Sequence, residues 1–564
     1  IRIENMTDLE MMFMTQKGSH FQCRIHKLTM THRSTGRIMY GDDPRLVTSN
    51  TRKGFYWDAN NLYGWAMSRP LPIGDYRWEK QIDHPSPRLD DQGEELLLST
   101  DNMHQDLPSQ SHNLSMVEDY ELWHREDMAS ITETILEMDV EGDRGYVLEV
   151  DVEYPKGIHD EHNDMPFFAE KKGCEPSPYT IKQMERVYSN YRDGKLPPSG
   201  QKLVMDLTNK SCYVVHIAML KEALRQGIVL KKIHRVFSFK QSRWLKVYID
   251  FCTKMRAAAL DEAERNAWKL CANSIYGKTV EDVRRRREVE IVHGDKARER
   301  ALRIASSPWI KNFRIVIPDQ LLLMEKFKRT CTLNRPTIIG FSVLELSKLH
   351  MYNWHYNTIK AEFGDRAVLH YMDTDSTVYT ITGEDIYRDL NRLQIEKKCF
   401  DLGKLKKAFP EHPTVVDLGF GTPTTQENEL GMFKDEMQGV EIDDAIFLRP
   451  KSYSIRVKGG KTHSRMKGVP SKSTIPAYGP ACQDGSLPPG QKIGHEDFLD
   501  VWKQGLLPKV KFQKIDHTKD FEVVTTEVEK IGLTNTDDKS FYFNGWESLR
   551  YGHWRIEEFM NAED

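Results

Sequence analysis

The sequence predicts a mixed α+β chain folded as several packed subdomains. Three observations predict this. Stretches of alternating polarity at residues 146–152 and 447–457 read as strands. Stretches with helical spacing at 214–226 and 337–352 stand between them. The length of 564 residues also exceeds what one core covers, roughly 250–300 residues.

Residues 1–52 give mixed signals, with an apolar, Met-rich stretch at 11–14 and then a polar stretch carrying two basic patches. Gly54-Phe55-Tyr56-Trp57 reads as a short aromatic strand. Residues 80–127 are polar and rich in Pro, Ser and Asp, which predicts a long loop or insertion. The helix over 214–226 is stopped by Gly227. Residues 244–277 predict two helices, the second running through 257–276 and ended by Gly277. Thr337 to Tyr352 is an apolar helix, and 367–381 two short strands joined by a tight acidic turn. Basic loops and a mixed C-terminal region follow the strand at 447–457, and no segment repeats.

Hydrophobic residues at 39% and charged residues at 29% describe an ordinary globular protein. No run approaches the roughly 18 apolar residues of a membrane span, and no secretory signal opens the chain. The expectation is an intracellular protein without a membrane partner, with host nucleus or cytoplasm left open. The eight cysteines form no C-x-x-C pair, which argues for reduced thiols over disulfides or a zinc site. The first residue is Ile1, so a fragment of a longer chain is expected. A net charge of -4 does not advertise a nucleic-acid binder. Basic clusters nevertheless stand at Lys231, Lys232, Arg235, Lys240, Arg243 and Lys246, and at 284–287, 298–303 and 326–329, while acidic residues concentrate between 83 and 143. Any one of these runs is by default a solvated face.

Three constellations carry chemistry. Asp373-Thr374-Asp375 sits between apolar and β-branched residues, at a hairpin tip. Two carboxylates forced together there repel unless a cation neutralises them, and hard oxygen ligands suit Mg²⁺. D-x-D alone also serves sugar transferases, phosphatases and plain turns. Asp58-Ala59-Asn60-Asn61-Leu62-Tyr63-Gly64 ends an aromatic strand on a carboxylate and turns into a helix. That is a half-site for metal or an ordinary cap, with Tyr63 one helical turn further on. Arg265, Lys269, Asn273 and Tyr276 share one helix face, either a solvated stripe or a set that binds a triphosphate and probes a base pair.

Together these segments resemble the ordered motifs of family-B DNA polymerases. Asp58 to Gly64 resembles motif A (D-x-x-S-L-Y-P), and Lys269-Leu270-Cys271-Ala272-Asn273-Ser274-Ile275-Tyr276-Gly277-Lys278 resembles motif B (K-x-x-x-N-S-x-Y-G-K). Tyr371 to Ser376 resembles motif C (Y-x-D-T-D-S), and Lys451-Ser452-Tyr453 resembles K-x-Y. Four motifs in the right order are far less open to chance than one. The segment Leu148 to Pro155, the segment His159 to Asp164, Phe433-Lys434-Asp435-Glu436 and Tyr551-Gly552-His553 are similar to the protein-primed polymerases of Polinton (Maverick) elements and related eukaryotic viruses. The pair His159 and His162 reads as fold sequence rather than a metal site.

The resemblance implies a right-hand fold of palm, fingers and thumb, with an antiparallel palm sheet and helical fingers. It implies a DNA-directed DNA polymerase working from a protein or DNA primer by two-metal transfer. Asp58 and Asp375 would hold two Mg²⁺ ions (Mn²⁺ as an alternative), with Asp373 supporting and the carbonyl of Ala59 an extra ligand. One ion would activate the primer 3′ hydroxyl and the other hold the triphosphate. Lys269 and Arg265, with Arg256 or Lys254, would neutralise phosphates. Tyr63 would stack on the sugar and block a 2′ hydroxyl, while Asn273 and Tyr276 would contact the nascent pair. Lys451 and Tyr453, on one face of their strand, would position the primer terminus, with Arg256 and Lys278 on DNA. Partners would be primed template, dNTPs and a terminal protein, and the basic runs would meet the DNA backbone.

The expected division is 1–52 as an N-terminal segment left from a missing exonuclease domain, 53–75 as the first palm segment and 76–243 as a palm-associated insertion. Residues 244–283 would be fingers, 284–332 a basic insertion, 333–470 the second palm segment and 471–564 thumb and C-terminal region. The chain departs from the family at Asn61 (Ser), Gly64 (Pro) and Phe21-Gln22, where the family has Gly-Gly. No D-x-E strand for an exonuclease is seen. The competing readings are a catalytically dead relic that binds nucleic acid and a D-x-D sugar transferase.

Overall fold

The computed structural model describes residues 52–80, 122–188, 200–283, 286–318, 320–328, 330, 332–384, 386–403, 429–469, 493–504, 509–518, 522–543 and 547–563. The Met-rich stretch, Phe21-Gln22 and residues 81–121 of the expected loop lie outside them.

Two sheets organise the described chain. The first has five strands in the order Ala367–Asp373, Ser376–Thr382, Arg52–Ala59, Phe433–Asp435, Phe400–Asp401. The second has four antiparallel strands in the order Leu71–Lys80, Val229–Ser242, Arg144–Glu153, Lys210–His216. The architecture is α+β.

The alternation of Arg52–Ala59 fixes which side chains reach the core, because successive residues of a strand point to opposite faces. Phe55, Trp57 and Ala59 are buried in the main apolar cluster. Trp57 stacks on Phe55 at 4.9 Å and meets Trp354 edge-on at 5.3 Å, and Trp354 stacks on Phe433 at 3.8 Å. Tyr56 and Asp58, on the other face, are left half-buried.

The helix Thr337–Tyr352 is apolar nearly all round, as a core helix must be, and it packs against Leu62–Met67, Ile217–Arg225 and Glu262–Thr279. Its buried Ser342 and Ser347 are satisfied by donating to the carbonyls of Ile338 and Val343, four residues back. The helix continues into a π-helical segment, Asn353–Lys360.

Several boundaries differ from the sequence reading. Residues 214–216 end the strand Lys210–His216, and the helix is Ile217–Arg225. The β-branched pair Val214-Val215 lies opposite Glu149 and Leu148, and the His216 side chain accepts from the Ala218 N–H to cap the helix. Ala257 and Ala258 belong to the earlier helix, Lys246–Ala258. The next begins at Glu262 because Asp261 caps it by accepting from the Glu264 N–H. Gly277 does not end that helix, which runs to Thr279, whose hydroxyl donates to the Tyr276 carbonyl. The single strand expected at 447–457 is two, Ile442–Arg449 and Ser452–Val457, joined by a turn in which Lys451 adopts φ 59°.

Residues 287–327 form a three-stranded sheet with one helix, Ala297–Ala305, over a small apolar cluster. Among the described residues, no helix is long and apolar enough to cross a membrane.

A candidate acidic active site

Asp58 and Asp375 lie 317 residues apart in the chain and meet because the strand carrying Asp58 pairs with the strand that begins at Ser376, just after Asp375. Asp58 stands opposite Ser376 across one strand pair and opposite Lys434 across the other. The hairpin 367–382 closes with Asp373 opposite Ser376, and Thr374 takes φ 61° to make the turn tight. The tip is locked by two backbone bonds: the Asp375 N–H donates to the Asp373 carbonyl and the Ala59 N–H donates to the Asp375 carbonyl, both at 2.7 Å. Three acidic residues are thereby held at one end of the sheet. They line a cleft of about 440 Å³ together with Tyr56, Tyr371, Lys451, Tyr453, Arg465 and Lys467.

Asp58 and Asp373 have lysine partners there, while Asp375 has no ion-pair partner among the described residues. Burial raises the Asp375 carboxyl, the neighbouring Asp58 raises it further and Asp373 adds to this, so that it is pushed up to about 7. Burial also raises Asp58, but Lys434, which donates to its Oδ1, opposes the rise. Burial would lower the Lys434 ammonium, yet Asp58 and Glu436 more than offset it. Lys451 reaches Asp373 Oδ2 at 2.8 Å from its turn. Tyr453 is buried against Tyr371 at 4.8 Å, and its hydroxyl shares a 3.0 Å hydrogen bond with Tyr56. Lys451 therefore belongs to the turn and not to the strand face that carries Tyr453.

The turn after Asp58 is built by its own residues. Asn60 is buried and donates to Asp401 Oδ2 at 2.6 Å, and the Gly431 N–H donates to the Asn60 carbonyl. Asn61 adopts φ 42° and its side chain accepts from the Gly64 N–H at 3.2 Å. A Cβ at position 64 would come within 2.3 Å of Asn61 Nδ2, and proline there would have no N–H to donate. Asn61 and Gly64, the two departures from motif A, thus act as one unit. The turn delivers Tyr63, which stacks on Tyr276 at 4.5 Å with ring planes 12° apart.

Tyr276 belongs to the helix 262–279, and Lys269 of that helix is close enough for its charge to lower Asp58 slightly. Lys269 and Arg265 are exposed, while Asn273 is half-buried with its Oδ1 unpartnered. The cleft lining includes none of Tyr63, Arg265, Lys269, Asn273 and Tyr276, nor Arg256, Lys254 and Lys278; Lys278 pairs with Glu281 at 3.0 Å. The sequence reading gave Lys434, Tyr56 and Arg465 no role. The signal for Lys434 lay in Phe433-Lys434-Asp435-Glu436, which carried only a family likeness.

His159 and His162 are buried and hydrogen-bonded within the fold: the His162 ring pairs with the Tyr154 hydroxyl at 2.6 Å, and His159 accepts from the Trp554 N–H. The basic region at 287–327 spends much of its charge internally. Arg300 and Lys326 pair with Glu290, and Lys311 with Glu325.

No protein-family model and no curated protein matches this chain. Among solved structures it is similar to Phi29 DNA polymerase in an orthorhombic crystal form, at 14% identity and a TM-score of 0.42, over 93% of this chain and 63% of that one. It is also similar to Phi29 DNA polymerase complexed with primer-template DNA and incoming nucleotide substrates, at 14% identity and a TM-score of 0.41 with the same coverage. The chain spans about 63% of the length of these structures. At such scores the chemistry rests on the residues of the cleft alone.

Proposed function

We propose that this chain is a DNA-directed DNA polymerase of the protein-primed family-B kind, adding dNTPs to a primer 3′ hydroxyl, in replication of a viral or mobile-element genome. The observation that carries the reading is the meeting of Asp58, on its strand, with Asp375, in the turn before the neighbouring strand, with the Asp375 carboxyl pushed up to about 7 beside two other acids. Crowded carboxylates with lysine ammonium groups already drawn onto two of them suit divalent cations. Asp58 and Asp375, with the Ala59 carbonyl, would hold two Mg²⁺ ions, and Mn²⁺ could replace them. When bound, such ions acidify an attacking hydroxyl and neutralise charge on a triphosphate.

The chain's own residues would supply the rest. Asp373, held by Lys451, keeps a third negative charge at the hairpin tip. Lys269 and Arg265 would meet the phosphates, with Arg256 or Lys254 further out. Tyr63, fixed by its stack on Tyr276, would lie under the sugar and leave no room for a 2′ hydroxyl. Asn273 and Tyr276 would contact the nascent pair. Lys451 and Tyr453 would seat the primer end. The palm would comprise the strands around the cleft, the fingers 244–283 and the thumb the chain from 471 onward. Primed template and a terminal protein would be the macromolecular partners.

The test is extension of a short primed template with Mg²⁺ and dNTPs, beside Asp375→Ala. Extension by the parent and none by the variant supports the reading. A folded parent that binds primed DNA without ever extending it overturns it in favour of a nucleic-acid-binding relic.

A further inference from the structure

A second cluster of metal-ligating groups lies in the four-stranded sheet, on residues that the polymerase reading does not use. Asp151 stands on the strand Arg144–Glu153, between the strands that carry Cys212 and His234. Both neighbouring strands are irregular beside it. On one side the register runs from Val150 opposite Tyr213 to Val152 opposite Lys210, so the outer strand carries an extra residue. On the other side Glu149 faces Arg235 and Val150 faces Ile233, which leaves His234 as the extra residue. Such bulges re-aim side chains that regular pairing would hold elsewhere. Cys212 also adopts φ 50°, a conformation costly for a residue with a Cβ. The result is that one ligand atom each from Asp151, Cys212 and His234 lies within 4.8 Å of the others.

Internal bonding leaves this cluster incomplete. The Cys212 N–H donates to Asp151 Oδ1 at 2.7 Å. His234 Nε2 lies 2.8 Å from the same oxygen, and this buried nitrogen has no other hydrogen-bond partner. Of the nearby cations, Arg235 is engaged by Glu149, and Lys232 stands opposite Asp151 across the strand pair.

We propose that Asp151, Cys212 and His234 form a binding site for a zinc-like divalent cation. Thiolate sulfur, imidazole nitrogen and carboxylate oxygen are the ligand types zinc prefers, and three protein ligands leave a fourth position for water or an outside group. The exposed rim of the cluster, at Cys212, leaves that position reachable. No C-x-x-C spacing announces such a site, because its ligands come from three strands and not from one loop.

The test uses the full chain, stripped of metal and titrated with Zn²⁺, with Co²⁺ as the spectroscopic probe. The expected result is a Co²⁺ spectrum with a thiolate charge-transfer band that Zn²⁺ bleaches. Cys212→Ser should lose the band, and His234→Ala should weaken Zn²⁺ binding by more than about 10-fold, both with unchanged far-UV dichroism. A folded parent with no such band overturns the proposal, as does a band that survives Cys212→Ser. If either variant misfolds, Asp151→Asn is read for the same loss of Zn²⁺ affinity, and unchanged affinity there overturns the proposal. No outcome depends on nucleotide addition, so failure here leaves the polymerase reading standing.

Discussion

The acidic cleft and the small sheet of residues 287–327 both concentrate charge, and they manage it in opposite ways. In the small sheet carboxylates sit within reach of cations: Glu290 is shared by Arg300 at 2.6 Å and Lys326 at 2.7 Å, and Lys326 also reaches Glu288. Hydrogen bonds from Lys326 and Arg300 draw Glu290 below the usual carboxylate range. In the cleft, three carboxylates face one another, and two of them are raised by burial. A self-neutralised network needs no ligand, and each exposed pair in it contributes little, about 0–1 kcal/mol. In the cleft, Lys434 and Lys451 partner Asp58 and Asp373, but Asp375 forms no ion pair among the described residues, and that is the charge a bound cation would neutralise. The basic runs were thus the weaker functional signal, and the short acidic turn the stronger one.

The sharpest way to break that comparison is to neutralise one member of each region. Asp375→Asn is expected to lower nucleotide addition by about 10³-fold or more, as loss of a charge-handling group at a reacting centre does. Arg300→Ala should leave the rate within about 2-fold, since its partner lies in the self-paired sheet. Single-turnover extension measures both, and equal losses would erase the distinction.

Tyr63→Val sharpens the reading of the Tyr63–Tyr276 stack. Ribonucleotide incorporation relative to dNTPs should rise by about 10–100-fold, the scale on which pockets discriminate small groups. Competitive extension with mixed nucleotides reads this directly, and an unchanged ratio would remove Tyr63 from the sugar site.

Lys434→Met tests whether the cleft's imbalance is held in check by its own lysine. Without Mg²⁺ at pH 8 the variant should lose about 1–3 kcal/mol, the scale of a hydrogen bond to a charged group. The loss should shrink when Mg²⁺ is added, and urea denaturation with and without EDTA measures it. Titration gives the matching pH dependence. The Asp375 carboxyl titrates at about 7 in the folded chain, against an ordinary value of 3.8 when unfolded. Between those values the folded state holds the extra proton, so stability falls as pH rises toward 7. Thermal melts in EDTA should therefore show a higher Tm at pH 5.5 than at pH 8, with a smaller difference in Asp375→Asn. The least effect belongs to Arg300→Ala, whose stability should lie within about 1 kcal/mol of the parent.

Much of this site was legible in short segments. Asp58, Asp373 and Asp375 each stood at a strand end, and the apolar residues beside them fixed which face they point to. The hairpin at 367–382 and the helix Thr337–Tyr352 formed where their patterns placed them. Local patterns failed where two periods abut. Val214-Val215 suits strand and helix alike, and sheet pairing decided for the strand. Lys451 could not be placed either, because an alternating run does not reveal a turn with positive φ inside it.

The sequence by itself determined the alternation that turns Asp58 away from the core, the tight acidic turn, and the shared face of Arg265, Lys269, Asn273 and Tyr276. These depend on spacing along a few residues, which backbone geometry converts directly into direction. Only the tertiary structure decided that Lys434 stands on Asp58, that Asn61 and Gly64 form one unit, and that Asp151, Cys212 and His234 converge. Those contacts join side chains through sheet register, close approach and bulges, and a register is set by the packing of whole strands, which no local run of residues encodes.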